Sequence, residues 1–308
     1  MKVIYDVGKI KKVIRKAVLA IGIFDGMHLG HQKLIARCCA QARKIKGKSV
    51  VLTFHPHPVQ VLRPEIYLPY IVSVPYRLQL IEQMGVDLCV LQEFTKKFSK
   101  LTPKEFIENY LLKFIYPAEI IVGEDFRFGN NRLGDLTVFK ELGKRQGIKV
   151  SAVSALRGAS KKIGSTSIRR EIAKGNLMQA RKLLGRPVSI VGTVVKGEQR
   201  GKSLGFPTAN ILPNGEVLPP LGVYAVKIRY HNEIFKGMAN LGRRPTFRSK
   251  ANVVNIEVHV FDFDRNIYDK DITVEFIKKI RHERAFFTRA ALIKQLKKDE
   301  LKAKAFLK

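Results

Sequence analysis

The sequence predicts an α/β chain in two parts, a parallel sheet with helices on both faces and then a small antiparallel β-barrel that ends in a helix. Three observations carry this expectation. From Ala17 to about Val153, short apolar strands alternate with helical stretches, the pattern of a parallel sheet. Near Leu184-Gly185-Arg186-Pro187 the character changes to short alternating segments separated by turn-rich sequence. From about Thr288 a lysine-rich helical stretch closes the chain. A length of 308 residues favours two domains, each with enough chain for a core, and the change of pattern places them at 1–185 and 186–308.

Strands of the first part are expected at 17–24, 49–54, 87–91, 118–122 and 148–153. The run Ala17-Val18-Leu19-Ala20-Ile21 reads as a buried strand, and Gln32 to Arg43 carries the Leu34, Ile35 and Cys38 spacing of a helix. Thr102-Pro103 and Asp135 each carry a capping residue that opens a helix. Phe24-Asp25, Phe54-His55 and Gly123-Glu124-Asp125 fall at strand C-termini, where parallel sheets bind ligands, so one shared cleft is expected. In the second part, Val188–Val195, Gly222–Arg229, Ile234–Leu241, Asn252–Phe261 and Ile272–Ile280 read as barrel strands. Leu292, Ile293, Leu296, Leu301 and Phe306 mark the apolar stripe of the last helix, with the run from Lys294 to Lys308 on its exposed side.

Lysine and arginine number 57 against 26 aspartate and glutamate, a formal net charge of +31. That balance suits polyanionic ligands, nucleotides or nucleic acid, although Lys and Arg spread over solvated faces explains it better than a dedicated nucleic-acid stripe. Three cysteines, Cys38, Cys39 and Cys89, lack a C-x-x-C pair and form no framework, which points to a reducing cytoplasm. Met1 to Lys16 is basic but has neither a long apolar core nor a small-residue cleavage site, so no signal peptide or membrane span is expected.

The most informative run is Gly22-Ile23-Phe24-Asp25-Gly26-Met27-His28-Leu29-Gly30-His31, two imidazoles beside a glycine turn at the end of an apolar strand. It caps a helix N-terminus, where unpaired N–H groups and the helix dipole attract an anion and glycines let the backbone come close. The histidines can donate hydrogen bonds to the charge that builds on a phosphate under attack. A metal-binding pair would want a third ligand or an H-E-x-x-H spacing, which is absent, and a pair of structural histidines is the other alternative. The strand, H-x-G-H and helix resemble the nucleotidyltransferase superfamily.

Three further runs follow in the first part. Thr53-Phe54-His55-Pro56-His57-Pro58 and Gly123-Glu124-Asp125-Phe126-Arg127-Phe128-Gly129 set aromatic and Arg side chains beside carboxylates, a floor for a flat heterocycle, though each alone reads as a loop with a packed Phe. Gly164-Ser165-Thr166-Ser167-Ile168-Arg169-Arg170 precedes a helix and supplies hydroxyls and a guanidinium able to reach a triphosphate. Taken in order, H-x-G-H, T-F-x-P-H-P, G-x-D-F-x-F-G and S-T-x-I-R resemble the adenylyltransferase module of the bacterial bifunctional riboflavin kinase/FAD synthetase family. The second part extends the resemblance to its kinase module, which in the family is a six-stranded barrel, through Gly201-Lys202-Ser203-Leu204-Gly205-Phe206-Pro207-Thr208-Ala209-Asn210, Gly222 to Val226, Asn240 to Phe247, and Asn255-Ile256-Glu257-Val258-His259.

The resemblance implies phosphorylation of riboflavin to FMN by the barrel and adenylylation of FMN to FAD, with release of pyrophosphate, by the α/β part. It implies His28, His31 and Arg169 as catalytic groups of the second reaction, with Gly22, Phe24, Asp25, Gly26, Gly30, Ser165 and Thr166 around ATP, and His57, Asp125, Phe126 and Phe128 around the flavin. In the barrel, Gly201 and Gly205 permit a loop that closes on phosphates, while Thr208 and Asn210 offer oxygens suited to Mg²⁺ bridging ATP oxygens. Glu257 is then the base for the riboflavin 5′-hydroxyl, unless it is merely a cross-strand partner of a surface Lys on an edge strand. Arg281, Glu283 and Phe286 resemble the family's R-x-E-x-x-F segment near the flavin. Two departures stand out: Ile163-Gly164-Ser165-Thr166 replaces the usual I-S-S-T, and Lys202 replaces an Arg, which loses a bidentate donor and keeps the charge.

The expected partners are riboflavin, FMN and ATP, with flavins as substrate and product, no obligate nucleic acid and no membrane; a homo-oligomer is left open. A degraded class I aminoacyl-tRNA synthetase would share the H-x-G-H logic, but neither a second Lys-rich signature loop nor an anticodon-binding region is found. A non-catalytic flavin-binding module would need the aromatics and not the phosphate residues.

Overall fold

The computed structural model describes residues 1–156, 163–197, 200–243 and 254–308, without the side chains of Arg200, Lys202 and Arg243. The chain divides into two units, Met1–Pro69 with Val74–Ser165, and Tyr70–Ser73 with Thr166–Lys308.

In the first unit β1 (Lys2–Tyr5), β3 (Ala17–Ile21), β4 (Lys48–His55), β5 (Leu88–Glu93), β7 (Glu119–Gly123) and β8 (Lys149–Val153) form a parallel sheet in the order β1-β5-β4-β3-β7-β8. A separate pair joins β2 (Ile14–Arg15) to β6 (Ile115–Tyr116). All of β3 is buried, because alternate residues serve opposite faces. Val18 and Ala20 pack with Leu34, Ile35 and Cys38 of α1 (Leu29–Lys44) and Ile81 of α3 (Val74–Gln83). Leu19 and Ile21 pack instead with Phe106, Leu111 and Phe139 on the other face. Each such Leu or Ile contributes about 1.5–3 kcal/mol relative to exposure. Besides short 3-10 turns, the other helices among the described residues of this unit are the short α2 (Pro58–Leu62), a π-helix over Glu105–Leu111, and α4 (Leu136–Arg145).

The second unit carries α5 (Ser165–Ala173) from its second residue, α6 (Leu177–Leu184) and a closed antiparallel barrel. Its strands β9 (Val188–Val195), β10 (Ala209–Ile211), β11 (Gly222–Tyr230), β12 (Glu233–Arg243), β13 (Val254–Val260) and β14 (Asp271–Arg281) close in the order β10-β13-β12-β11-β14-β9. A helical turn, α7 (Arg200–Ser203), lies between β9 and β10, and α8 (Arg289–Phe306) ends the chain. Tyr70–Ser73 joins this unit through Tyr70 N–H to Gly215 O at 3.0 Å and Val217 N–H to Tyr70 O at 2.7 Å.

Both fold expectations hold, and several local ones are corrected. The first strand ends at Ile21 rather than residue 24, because Phe24 and Met27 turn the chain at φ 52 and 42. Strand β1 was not expected: its two central apolar residues are too few to announce a strand, and it forms by pairing with β5. The same holds for β10, three residues long. Ser165 to Arg170 lies within the first turns of α5 rather than before it. Thr102 does open its helix, exchanging bonds with Glu105, but the helix continues with π hydrogen bonding. In α8, Leu301 is 71% exposed, and the buried line is Asp299, Ala303 and Leu307. Leu296 of the expected stripe does pack on the barrel, in one apolar cluster with Val223, Met238, Phe261, Ala303 and Leu307. Asn252, Val253 and the Arg244–Phe247 part of the Asn240–Phe247 motif lie outside the described residues.

Candidate active sites

The first site grows from the C-terminal end of β3. In the sheet order β3 lies between β4 and β7, so the loops after these three strands emerge side by side at the point where the order reverses. Gly22 is required here: a Cβ would stand 2.9 Å from the Phe24 ring, which folds back and is fully buried. The Phe24 ring is therefore packed away in the core. Asp25 and Met27 are also buried, at 1% exposure each, and the Ser165 hydroxyl donates to Asp25 O at 3.0 Å.

His28 is the N-cap of α1, its Nδ1 accepting from His31 N–H at 3.3 Å. With Nδ1 accepting, the proton of the neutral ring sits on Nε2, the nitrogen pointing away from the cap. Gly30 makes this possible, since a Cβ there would meet His28 Cε1 at 3.1 Å. The two rings stack at 3.6 Å, and the Phe24 edge meets His31 at 5.3 Å. H-x-G-H is thus one rigid stacked pair at a helix N-terminus.

Beneath it sits a residue that the sequence reading missed. Arg77 of α3 is 1% exposed and donates to Ile23 O at 2.7 Å and to Phe54 O at 3.2 Å, clamping the ends of β3 and β4 together. Thr53 Oγ1 also donates to Ile23 O, at 2.9 Å. A lone Arg in an amphipathic helix gives no sequence signal; only the fold shows its two carbonyl partners. Burial and then the Arg77 charge hold the His55 imidazole below its ordinary value.

Of the flavin residues expected in this unit, His57 caps α2, accepting from Val59 N–H at 3.1 Å, and closes a capping box with Gln60. Asp125 lies against Gly123, where a Cβ would meet its carboxylate at 3.2 Å. Phe126 is half-buried and stacks on Phe128 at 5.6 Å. Phe128 is buried among Phe106, Phe126 and Phe139, and Phe106, Phe98 and Phe54 continue the aromatic wall to the end of β4. Thr166 and Arg169 continue α5 into the second unit.

The second site lies on the outer face of the barrel wall. In β13 Ile256 and Val258 point into the barrel, leaving Asn255, Glu257 and His259 on the other face. Glu257 pairs in register with Asn210 on β10 and Asn240 on β12, so the three side chains share that face. Because the barrel is closed, β13 is no edge strand. Asn255 joins them, its amide donating to Glu257 Oε1 at 2.9 Å and to Asn210 Oδ1 at 3.3 Å. Sequence reading placed Asn255 in a motif without giving it this role, since period two marks the face but not the partner.

Two glycines shape the cradle. A Cβ at Gly197 would stand 2.0 Å from Asn210 Nδ2, and one at Gly201 would stand 2.3 Å from Phe206 O and 3.1 Å from Thr208 Oγ1. Gly205 adopts φ 79, a turn that favours glycine. Glu283 comes to the same wall, its carboxylate 2.5 Å from where a Gly242 Cβ would be. Arg281 pairs with Asp299 at 2.8 Å, and its guanidinium lies 5.6 Å from the Phe286 ring. Among the described residues no cluster of three acidic, His or Cys side chains could hold a metal by itself. Hydroxyl and amide oxygens at a glycine-shaped cradle instead suit a cation that arrives with phosphates.

A Gly-cradled helix N-terminus with paired imidazoles and a barrel wall with amide, hydroxyl and carboxylate groups suit a nucleotide-dependent transferase. A family model described as FAD synthetase matches residues 10–167, and one described as riboflavin kinase matches residues 184–307. Proteins called bifunctional riboflavin kinase/FMN adenylyltransferase are 37% identical in Buchnera aphidicola subsp. Schizaphis graminum over 97% of this chain and 96% of that one, and 39% identical in Listeria monocytogenes over 94% and 92%. A solved structure of a protein called a macrolide-efflux protein, from Streptococcus pneumoniae, aligns with a TM-score of 0.85 at 31% identity over 97% of both chains. That name is said of that protein; no described helix of this chain is long and apolar enough to cross a membrane. This chain belongs to the bifunctional riboflavin kinase/FMN adenylyltransferase family. It phosphorylates riboflavin to FMN with ATP and adenylylates FMN to FAD with release of pyrophosphate.

Proposed function

We propose that the two reactions are divided between the two sites by residue. In adenylylation, an oxygen of the FMN phosphate attacks the α-phosphorus of ATP while the bond to pyrophosphate breaks. The acceptor is already ionised, so position and charge stabilisation suffice. His28 Nε2–H, His31 and the N-terminal amides of α1 supply donors, and Arg169, Ser165 and Thr166 are assigned to the triphosphate. Gly22, Gly26, Gly30 and the backbone of Phe24 and Asp25 shape the turn, and the aromatic wall through Phe126 with His57 and Asp125 receives the flavin.

In phosphorylation, the riboflavin 5′-hydroxyl attacks the γ-phosphorus, the bond to ADP breaks, and the hydroxyl proton goes to Glu257. Thr208 and Asn210 would hold Mg²⁺, which neutralises charge on the ATP phosphates when bound. Gly201 and Gly205 let the chain approach those phosphates, and Arg281, Glu283 and Phe286 are assigned to riboflavin. The observation that supports this assignment most directly is the chain Asn210–Asn255–Glu257, which holds a phosphate-side amide and a carboxylate at one spot. Matches that end at residue 167 and resume at residue 184 support modules at 1–185 and 186–308. Three buried cysteines, none in a disulfide, fit a reducing cytoplasm.

The test is Glu257→Gln, which cannot take the proton. Riboflavin turnover should fall about 10²-fold or more, with FMN still converted to FAD. Near-normal riboflavin turnover would place the base elsewhere.

A further inference from the structure

The C-terminal helix holds a charged group where packing alone would put an apolar one. Asp299 of α8 has 0% exposure, in line with Ala303 and Leu307, which pack on the barrel. A buried carboxylate is a poor source of stability, since well-packed apolar residues at such positions are often as stable or more so. Its bonds run in one direction. Arg281 Nε donates to Asp299 Oδ2 at 2.8 Å, and Gln295 Nε2 donates to Asp299 Oδ1 at 2.6 Å. Arg281 also donates to His282 O at 3.0 Å, which ties the guanidinium to the backbone that leaves β14. Arg284 donates to Gln295 Oε1, one turn of α8 before Asp299. Both guanidinium groups lie near one ring: Arg281 is 5.6 Å and Arg284 4.7 Å from the Phe286 centroid.

We propose that Asp299, with Gln295, is a positioning device for riboflavin: from α8 it fixes Arg281 and Arg284, and through them the Phe286 ring. This rests on the assignment of Arg281 and Phe286 to riboflavin. Asp299 touches no reacting atom. It orients the guanidinium through a charge-assisted bond, which is shorter and stronger than a neutral one. Neither Ala303 nor Leu307, which pack nearby, could do this.

The experiment compares wild type, Asp299→Asn, Asp299→Leu and Phe286→Ala as full chains, each measured for riboflavin phosphorylation, FMN adenylylation and melting temperature. A positioning role raises KM for riboflavin about tenfold or more in both Asp299 variants, leaves kcat within about threefold, and leaves adenylylation of supplied FMN unchanged. A merely structural role lowers the melting temperature and the active fraction, and so kcat, at constant KM. If Phe286→Ala raises KM and both Asp299 variants do not, the positioning proposal is wrong and the flavin assignment stands. If Phe286→Ala also leaves KM unchanged, the assignment fails and the proposal falls with it.

Discussion

Gly197→Ala is the most direct structural test of the kinase site. A Cβ at Gly197 would lie 2.0 Å from Asn210 Nδ2 and 2.6 Å from its Cγ. Ordinary contact between such atoms is about 3.5–4 Å, so the amide must retreat by roughly 1.5–2 Å. Asn210 has little room, being 8% exposed and bound to Asn255, so the retreat is a rotation away from the cradle. A displacement of about 1 Å in a positioning group costs on the order of 10²-fold in rate, or about 2.7 kcal/mol of barrier. Riboflavin phosphorylation should therefore fall at least about 10²-fold. Supplied FMN should still become FAD at the wild-type rate, because Gly197 lies in the other unit. The assay follows riboflavin, FMN and FAD by chromatography from each starting flavin. Riboflavin turnover within a few-fold of wild type would show that the orientation of Asn210 does not matter and refute its place on the phosphates.

Further outcomes follow from the same division of labour. His28→Ala or His31→Ala should cut FAD formation by about 10²–10³-fold while FMN accumulates from riboflavin; equal loss of both activities in a folded variant would remove the histidines from a single site. Arg77→Met leaves the carbonyls of Ile23 and Phe54 without their clamp, so FMN adenylylation and the melting temperature should both fall while riboflavin phosphorylation persists; an unchanged adenylylation rate would reduce Arg77 to packing. A fragment 166–308 should phosphorylate riboflavin, and one beginning at residue 186 should melt lower, because α6 buries Leu177, Ala180, Leu183 and Leu184 in the same unit; equal melting temperatures would show that α6 is dispensable.

Much of this chain was legible from residue order. The apolar run 17–21 reads as a buried strand, and H-x-G-H marks a helix N-terminus because glycines and an N-cap acceptor act within a few residues of sequence. Thr288 likewise announced the last helix, whose first turn it caps at Ala291 N–H. Local chemistry, caps, turns and period two in β13, is written locally. What depends on residues far apart was decided only by tertiary structure. Strand β1 exists because β5 offers it a partner some 85 residues away, as shown by Lys2 opposite Leu88. Arg77 became a clamp when α3 packed beneath the ends of two strands. Glu257 met Asn210 through barrel closure, and Asn255 joined them by a side-chain reach that no spacing encodes. The expected stripe of α8 holds at Leu296, which packs on the barrel core, and fails at Leu301 for the same reason. Its sequence offers leucines to a generic apolar surface, whereas the barrel presents Arg281, and that guanidinium draws Asp299 inside and leaves Leu301 in solvent.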